Sequence, residues 1–152
     1  MIRVFLVEDQ TLVREGIRSL LALDAGIVIA GEASDGEEAA AAIPSAGADV
    51  VLLDMQLPRL SGLEVLRRLN RENRLPPTII LTTFDDDETL LAGLAAGAKG
   101  YLLKDVSLAE LVRAIRAVAS GGTAVQPTPP SASSAGSKRR SRPFEAWIPP
   151  TR

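Results

Sequence analysis

Short, continuous apolar runs alternate along this chain with longer stretches whose apolar residues recur every three or four positions. The runs are IRVFLV (Ile2–Val7), IVIAGE (Ile27–Glu32), ADVVLLD (Ala48–Asp54), TIILTT (Thr78–Thr83) and KGYLL (Lys99–Leu103). Rich in Val, Ile and Leu, they read as strands buried on both faces. Between them, TLVREGIRSLLAL places Leu12, Val13, Ile17, Leu20 and Leu21 on one helical stripe, mostly core. DGEEAAAAI (Asp35–Ile43) reads as a short helix stopped by Pro44, and SGLEVLRRLNRE as a third helix with Ser61 and Glu64 spaced as a capping box. DDETLLAGLAAG predicts a fourth helix with acids in its first turn, where the helix dipole favours them. SLAELVRAIRAVASGG predicts a fifth, with Leu108, Leu111, Val112, Ile115 and Val118 on its apolar side, a second capping box at Ser107 and Glu110, and Gly121 as its stop.

Five strands alternating with five helices predict an α/β fold: a five-stranded parallel sheet, doubly wound, with helices on both faces. Ligands in such sheets bind outside the carboxyl ends of the strands, at a topological switch point. The pattern stops after Gly122. Residues 123–152 carry six prolines and a Ser/Ala/Gly run with no apolar period, which predicts a disordered tail after a domain at 1–122.

Composition narrows the chemistry. Of 152 residues, 46% are hydrophobic and only 3% aromatic, so the core is aliphatic. Cysteine and histidine are both missing. That excludes disulfides, thiolate zinc sites, a thiol nucleophile and any histidine base or phosphoryl carrier on this chain. No apolar run approaches the roughly 20 residues of a membrane span, and MIRVFLVEDQ lacks a signal-peptide layout, so a cytoplasmic protein is expected. Residues 1–122 hold 12 Lys/Arg against 18 Asp/Glu, a net of −6, whereas residues 123–152 hold 5 against 1, a net of +4.

The predicted strand ends carry the polar residues. Glu8 and Asp9 follow the first strand, Asp54 ends the third, Thr82 and Thr83 end the fourth, and Lys104 follows the fifth. In a parallel sheet these ends share one edge. Three converging carboxylates repel one another unless a cation sits among them, and hard oxygen ligands suit Mg²⁺. Beside Mg²⁺ and an ammonium, a carboxylate can attack a phosphoryl group, because metal and lysine neutralise the phosphoryl oxygens. Asp54 is then the nucleophile that becomes an acyl phosphate, and a threonine hydroxyl holds one phosphoryl oxygen.

The segments VED in the first strand, LLDMQLPRLSG around Asp54, LTTFD in the fourth and GAKGYLLKD at the fifth together resemble a response-regulator receiver domain over roughly residues 1–122. LTTFDDDE and the helix ending AVASGG are most similar to the NarL/FixJ subfamily. The resemblance implies a CheY-like (βα)5, flavodoxin-like fold. It implies that Asp54 is the phosphoacceptor, that Glu8 and Asp9 organise Mg²⁺ with the Gln56 carbonyl as a further ligand, and that Thr82 and Lys104 grip the phosphoryl group. It also implies that Tyr101 is a switch aromatic that turns inward when Thr82 moves, with Pro58 and Gly62 forming the turn after the acceptor. A separate sensor histidine kinase is the implied donor and a homodimer through the first and fifth helices a possible assembly. The chain departs from the family at Asp105, where proline often follows the lysine. It departs again in its thirty-residue tail, which cannot build the helix-turn-helix domain of NarL-type regulators. DNA binding by this chain alone is therefore not expected.

Other readings compete at single positions. Tyr101 suits a packed strand aromatic as well as a switch, and the run Asp85–Glu88 suits a solvated helix start. KRRSR (Lys138–Arg142) reads as a solvated basic stretch too short to read nucleic-acid sequence, with Phe144 and Trp147 nearby as a docking segment or as chance. For the whole chain, one alternative is a Mg²⁺-dependent phosphatase or phosphotransferase; another is a phosphorylation-independent docking module. Haloacid-dehalogenase-type enzymes place a second Asp two residues after the nucleophile, where this chain has Gln56. The favoured reading is a phosphorylated switch protein, not an enzyme.

Overall fold

The structure is a computed structural model and describes residues 1–83 and 87–125. In chain order its elements are β1 (Ile2–Val7), α1 (Thr11–Leu21), β2 (Ile27–Ala33), α2 (Gly36–Ala46), β3 (Val50–Asp54), α3 (Gly62–Arg71), β4 (Thr78–Thr82), α4 (Asp87–Ala95), β5 (Gly100–Leu103), α5 (Leu108–Ala119) and β6 (Ala124–Val125). All strands pair in parallel, in the order β2-β1-β3-β4-β5-β6. The chain leaves β1 for β2 on one side and then crosses to β3 on the other. The switch point therefore lies between the carboxyl ends of β1 and β3.

The period-two alternation of strand side chains divides the core in two. Phe5, Val7, Val51, Leu53 and Ile80 point to the face covered by α2, α3 and α4, where they meet Ile43, Val65, Leu66, Leu69 and Leu90. Val4, Leu6, Val50, Leu52, Ile79 and Leu81 point to the face covered by α1 and α5, where they meet Leu21, Leu111, Ile115 and Val118. Every residue of β3 is buried, which is why its sequence is an unbroken apolar run ending in Asp54.

Four expectations need correction. The first concerns α1, whose apolar stripe is mostly not core. Leu12 is 84% exposed and Leu20 43%, Val13 and Ile17 are half-buried, and only Leu21 is buried. At about 100° per residue the stripe wraps roughly half the helix, and only its Ile17–Leu21 edge faces the sheet. The second concerns Pro44, which does not stop α2. It sits in the last turn, where the N–H it lacks removes one hydrogen bond only, and the helix runs on to Ala46 before Gly47 closes it at φ 68°. Arg3 supports that end, donating from Nε to the Gly47 carbonyl at 2.9 Å and from Nη2 to the Ala46 carbonyl at 3.0 Å.

The third correction is at the caps. Ser107 and Glu110 form the full reciprocal box, but Ser61 only accepts from the Glu64 N–H, while the Glu64 carboxylate turns to Arg67 at 3.2 Å. The fourth is at the boundary: the sheet continues past residue 122, with Ala124–Val125 paired to β5 as a sixth strand. The tail expected beyond it, with KRRSR, Phe144 and Trp147, lies outside the described residues, as do Asp85 and Asp86.

Candidate phosphoacceptor and metal site

The strand ends converge as the alternation requires. Glu8 directly follows β1 and is buried, Asp9 beside it is exposed, and Asp54 closes β3 and is buried. Lys104 directly follows β5, and its N–H donates to the Thr82 carbonyl at 2.8 Å, which ties the ends of β4 and β5 together. Its Nζ stands 2.6 Å from Glu8 Oε1 and 3.2 Å from Asp54 Oδ2. One ammonium thus separates two buried carboxylates on either side of the switch point. Asp9, Gln10, Asp54, Gln56, Thr82, Thr83 and Lys104 line a predominantly polar cleft of about 170 Å³.

The backbone supports each carboxylate. The Gln10 N–H donates to Glu8 Oε2 at 3.0 Å and the Gln56 N–H to Asp54 Oδ1 at 3.1 Å. Gly62 lets α3 start close behind Asp54: a Cβ there would stand 2.5 Å from the Asp54 carbonyl oxygen. Burial pushes the Glu8 carboxyl above the usual range, and neither the Lys104 contact nor the Gln10 N–H offsets it; the Asp54 charge adds to the rise. Burial acts the opposite way on Lys104, but Glu8 and Asp54 outweigh it and hold the ammonium above its ordinary value.

These residues fit a hard cation. Glu8, Asp9 and Asp54 each offer a carboxylate oxygen, all within 4.8 Å of one another. Glu8 Oε1 is buried and faces the Lys104 ammonium at 2.6 Å, so a positive charge already stands against this oxygen. Two buried carboxylates share that single ammonium, so the cluster keeps an excess of negative charge that a hard cation offsets.

Tyr101, the residue with two readings, is buried on β5, in register with Ile80 and packed in the cluster that holds Leu90, Ala96 and Ala98. Sequence reasoning missed two residues of the site. Gln10 contributes a backbone N–H, which no side-chain pattern reveals. Arg14, in α1, donates from Nη1 to the Glu8 carbonyl at 2.7 Å and reads in sequence as an ordinary surface arginine.

The model of the response regulator receiver domain matches residues 4–116. The chain belongs to that family. Among its relatives, the receiver domain is 46% identical over 122 residues to YxjL of Bacillus subtilis, an uncharacterized transcriptional regulatory protein, covering 79% of this chain and 55% of that one. It is 42% identical over 123 residues to DevR/DosR of Mycobacterium tuberculosis, a DNA-binding transcriptional activator, covering 80% of this chain and 56% of that one. A solved LuxR-family two-component response regulator from an Aurantimonas species superposes with a TM-score of 0.77 at 34% identity, covering 82% of this chain and 89% of that one. The chain thus spans slightly more than half the length of these curated relatives. Among the described residues, no helix is long and apolar enough to cross a membrane.

Proposed function

We propose that this receiver domain takes a phosphoryl group onto Asp54 from a separate sensor histidine kinase in the cytoplasm. The observation that carries the reading is Lys104 Nζ standing between Glu8 and Asp54 at the strand edge. An Asp54 carboxylate oxygen forms the new bond to phosphorus as the bond from phosphorus to the kinase's imidazole nitrogen breaks, and the released imidazole picks up a proton. Lys104 neutralises a phosphoryl oxygen, and the Thr82 hydroxyl, at the end of β4, donates a hydrogen bond to another. Glu8, Asp9, Asp54 and the Gln56 carbonyl hold Mg²⁺, which, when bound, neutralises charge developing on the phosphoryl group. The acyl phosphate is a mixed anhydride, and its hydrolysis returns Asp54 and inorganic phosphate.

Tyr101 is the element that carries the change outward. It lies on β5, whose neighbour β4 ends in Thr82, so a shift of Thr82 toward the phosphoryl group opens the inward space in which the ring is buried here. A dimer through α1 and α5 is supported by exposed Leu23 and half-buried Leu108 and Val112, which share a surface groove there. Strictly monomeric sedimentation, with and without a phosphoryl analogue, sinks the dimer. Because the chain itself is modified, it acts as a switch and not as an enzyme with turnover. Gln56 in place of a second carboxylate argues against a phosphatase.

The test is intact-protein mass after incubation with acetyl phosphate and Mg²⁺, beside Asp54→Asn. One phosphoryl adduct that requires Mg²⁺ and disappears in the variant is the expected result. An adduct that survives in Asp54→Asn removes Asp54 from its role.

A further inference from the structure

The acidic turn after β1 is braced from the edge of the sheet. Glu32, near the end of β2, pairs in register with Leu6, and the Glu8 N–H donates to the Ala33 carbonyl at 3.1 Å. The Glu32 carboxylate holds two arginines of α1: Arg14 Nε lies 3.3 Å from its Oε1, and Arg18 Nη1 donates to its Oε2 at 2.9 Å. Arg14, largely covered at 17% side-chain exposure, reaches on from there to the Glu8 carbonyl at 2.7 Å. One guanidinium therefore links the end of β2 to the backbone of the first proposed metal ligand.

For a cation site this is electrostatically the wrong charge, because a neighbouring guanidinium weakens the hold on Mg²⁺. Its value is geometric. A planar fork contacts a carbonyl and a carboxylate at once in fixed directions, which a lysine ammonium on its flexible stem does not reproduce. The Gln10 N–H, donating to Glu8 Oε2, then closes the turn on its other side. Removing a group that orients a metal ligand in this way typically costs about ten- to a hundred-fold in affinity.

We propose that Arg14, held by Glu32, is a positioning residue for the metal site. It fixes the Glu8–Asp9 turn so that Glu8, Asp9 and Asp54 present their oxygens together. The proposal rests on the reading of those three acids as Mg²⁺ ligands.

Charge and geometry make opposite predictions, so the experiment separates them. Mg²⁺ affinity is measured by NMR titration for the wild type, Arg14→Lys and Arg14→Gln, with amide exchange at Gln10 and Tm recorded on the same samples without metal. Positioning predicts that Arg14→Lys, which keeps the charge, weakens Mg²⁺ about ten-fold and speeds exchange at Gln10. If Arg14 acts only through charge, Arg14→Lys matches the wild type and Arg14→Gln binds Mg²⁺ more tightly; either result overturns the proposal. A lowered Tm with unchanged affinity and Gln10 exchange also overturns it, as a merely structural role. Glu32→Gln is the second variant should an Arg14 substitution fail to fold, and it is expected to move affinity and exchange in the same direction. Wild-type protein that takes up no Mg²⁺ overturns the metal site itself; wild-type binding with unchanged variants overturns the brace alone.

Discussion

Lys104 Nζ meets Glu8 Oε1 at 2.6 Å, an ion pair formed between residues on two different strand ends and with the acid fully buried. The same ammonium reaches Asp54 at 3.2 Å. Lys104 therefore does two things at once: it neutralises a buried carboxylate, and it stands beside Asp54, the proposed acceptor.

Removing that ammonium has a consequence that depends on metal. Lys104→Met leaves Glu8 and Asp54 facing each other without a cation. Breaking a buried pair costs about 3–5 kcal/mol, and the 16% exposure of the Lys104 side chain places this loss near the lower end. A divalent cation replaces the lost charge. Thermal unfolding of Lys104→Met is expected to show a clearly lowered Tm without Mg²⁺ and a larger rise on adding Mg²⁺ than the wild type shows. Equal Mg²⁺ responses in the two proteins contradict this account.

The raised Glu8 carboxyl sets a pH dependence with a definite sign. In the unfolded chain Glu8 ionises near its ordinary value of 4.5, and in the folded protein it ionises at higher pH because it is buried. Below 4.5 both states are protonated and Glu8 carries no penalty. As pH rises between the two values, only the unfolded state has lost its proton, so stability declines, and the penalty is complete above the folded value. Glu8→Gln, a neutral isostere, is expected to match the wild type in metal-free stability at low pH and to exceed it at neutral pH. Mg²⁺ requires the ionised form, so wild-type affinity falls on acidification sooner than it does for an ordinary carboxylate site. Chemical denaturation across pH, with and without Mg²⁺, measures both effects.

The site was legible in sequence because it is built from strand ends. An apolar run that stops at a carboxylate marks the carboxyl edge, and parallel topology then gathers Glu8, Asp54, Thr82 and Lys104 without any knowledge of angles. What the sequence did not reveal depends on which way a side chain turns or on the backbone. The α1 stripe is broad enough to suggest core at Leu12, but only its Ile17–Leu21 edge faces the sheet, which leaves Leu12 in water. Arg14 and Glu32 are ordinary surface charges until α1 lies against β2. Pro44 carries a strong local stop signal, and its place in the final turn weakens that signal.

Gly36 marks a close approach between α2 and the loop after Asp54. A Cβ there would stand 1.7 Å from the Leu60 carbonyl oxygen, which is backbone and cannot swing aside. The Gly36 N–H also donates to the Pro58 carbonyl at 3.3 Å. Gly36→Ala must push the loop carrying Gln56 away from α2. The expected loss is about 3 kcal/mol in stability, together with slower labelling of Asp54 by acetyl phosphate. Unchanged stability by chemical denaturation shows that the loop yields freely.

The sixth strand makes the folded unit extend beyond Gly122, and a pair of changes tests this. The Ala124 N–H donates to the Lys99 carbonyl at 3.0 Å, and Gly100 pairs with Ala124 so closely that a Cβ on Gly100 would stand 1.6 Å from the Ala124 carbonyl oxygen. Only a glycine at this position lets β6 lie on β5. Ending the chain after residue 122 removes the strand and uncovers the β5 edge, at a cost of about 1–2 kcal/mol for the lost backbone hydrogen bonds. Ending it after residue 125 keeps the strand. Gly100→Ala expels β6, so in the longer chain it destabilises by no more than the loss of the strand itself, about 1–2 kcal/mol. In the chain ending at 122 the obstructing carbonyl is gone, and the same substitution is nearly neutral. That non-additivity, read by urea denaturation of the four proteins, is the signature of a strand seated on Gly100; equal effects of Gly100→Ala in both lengths contradict it.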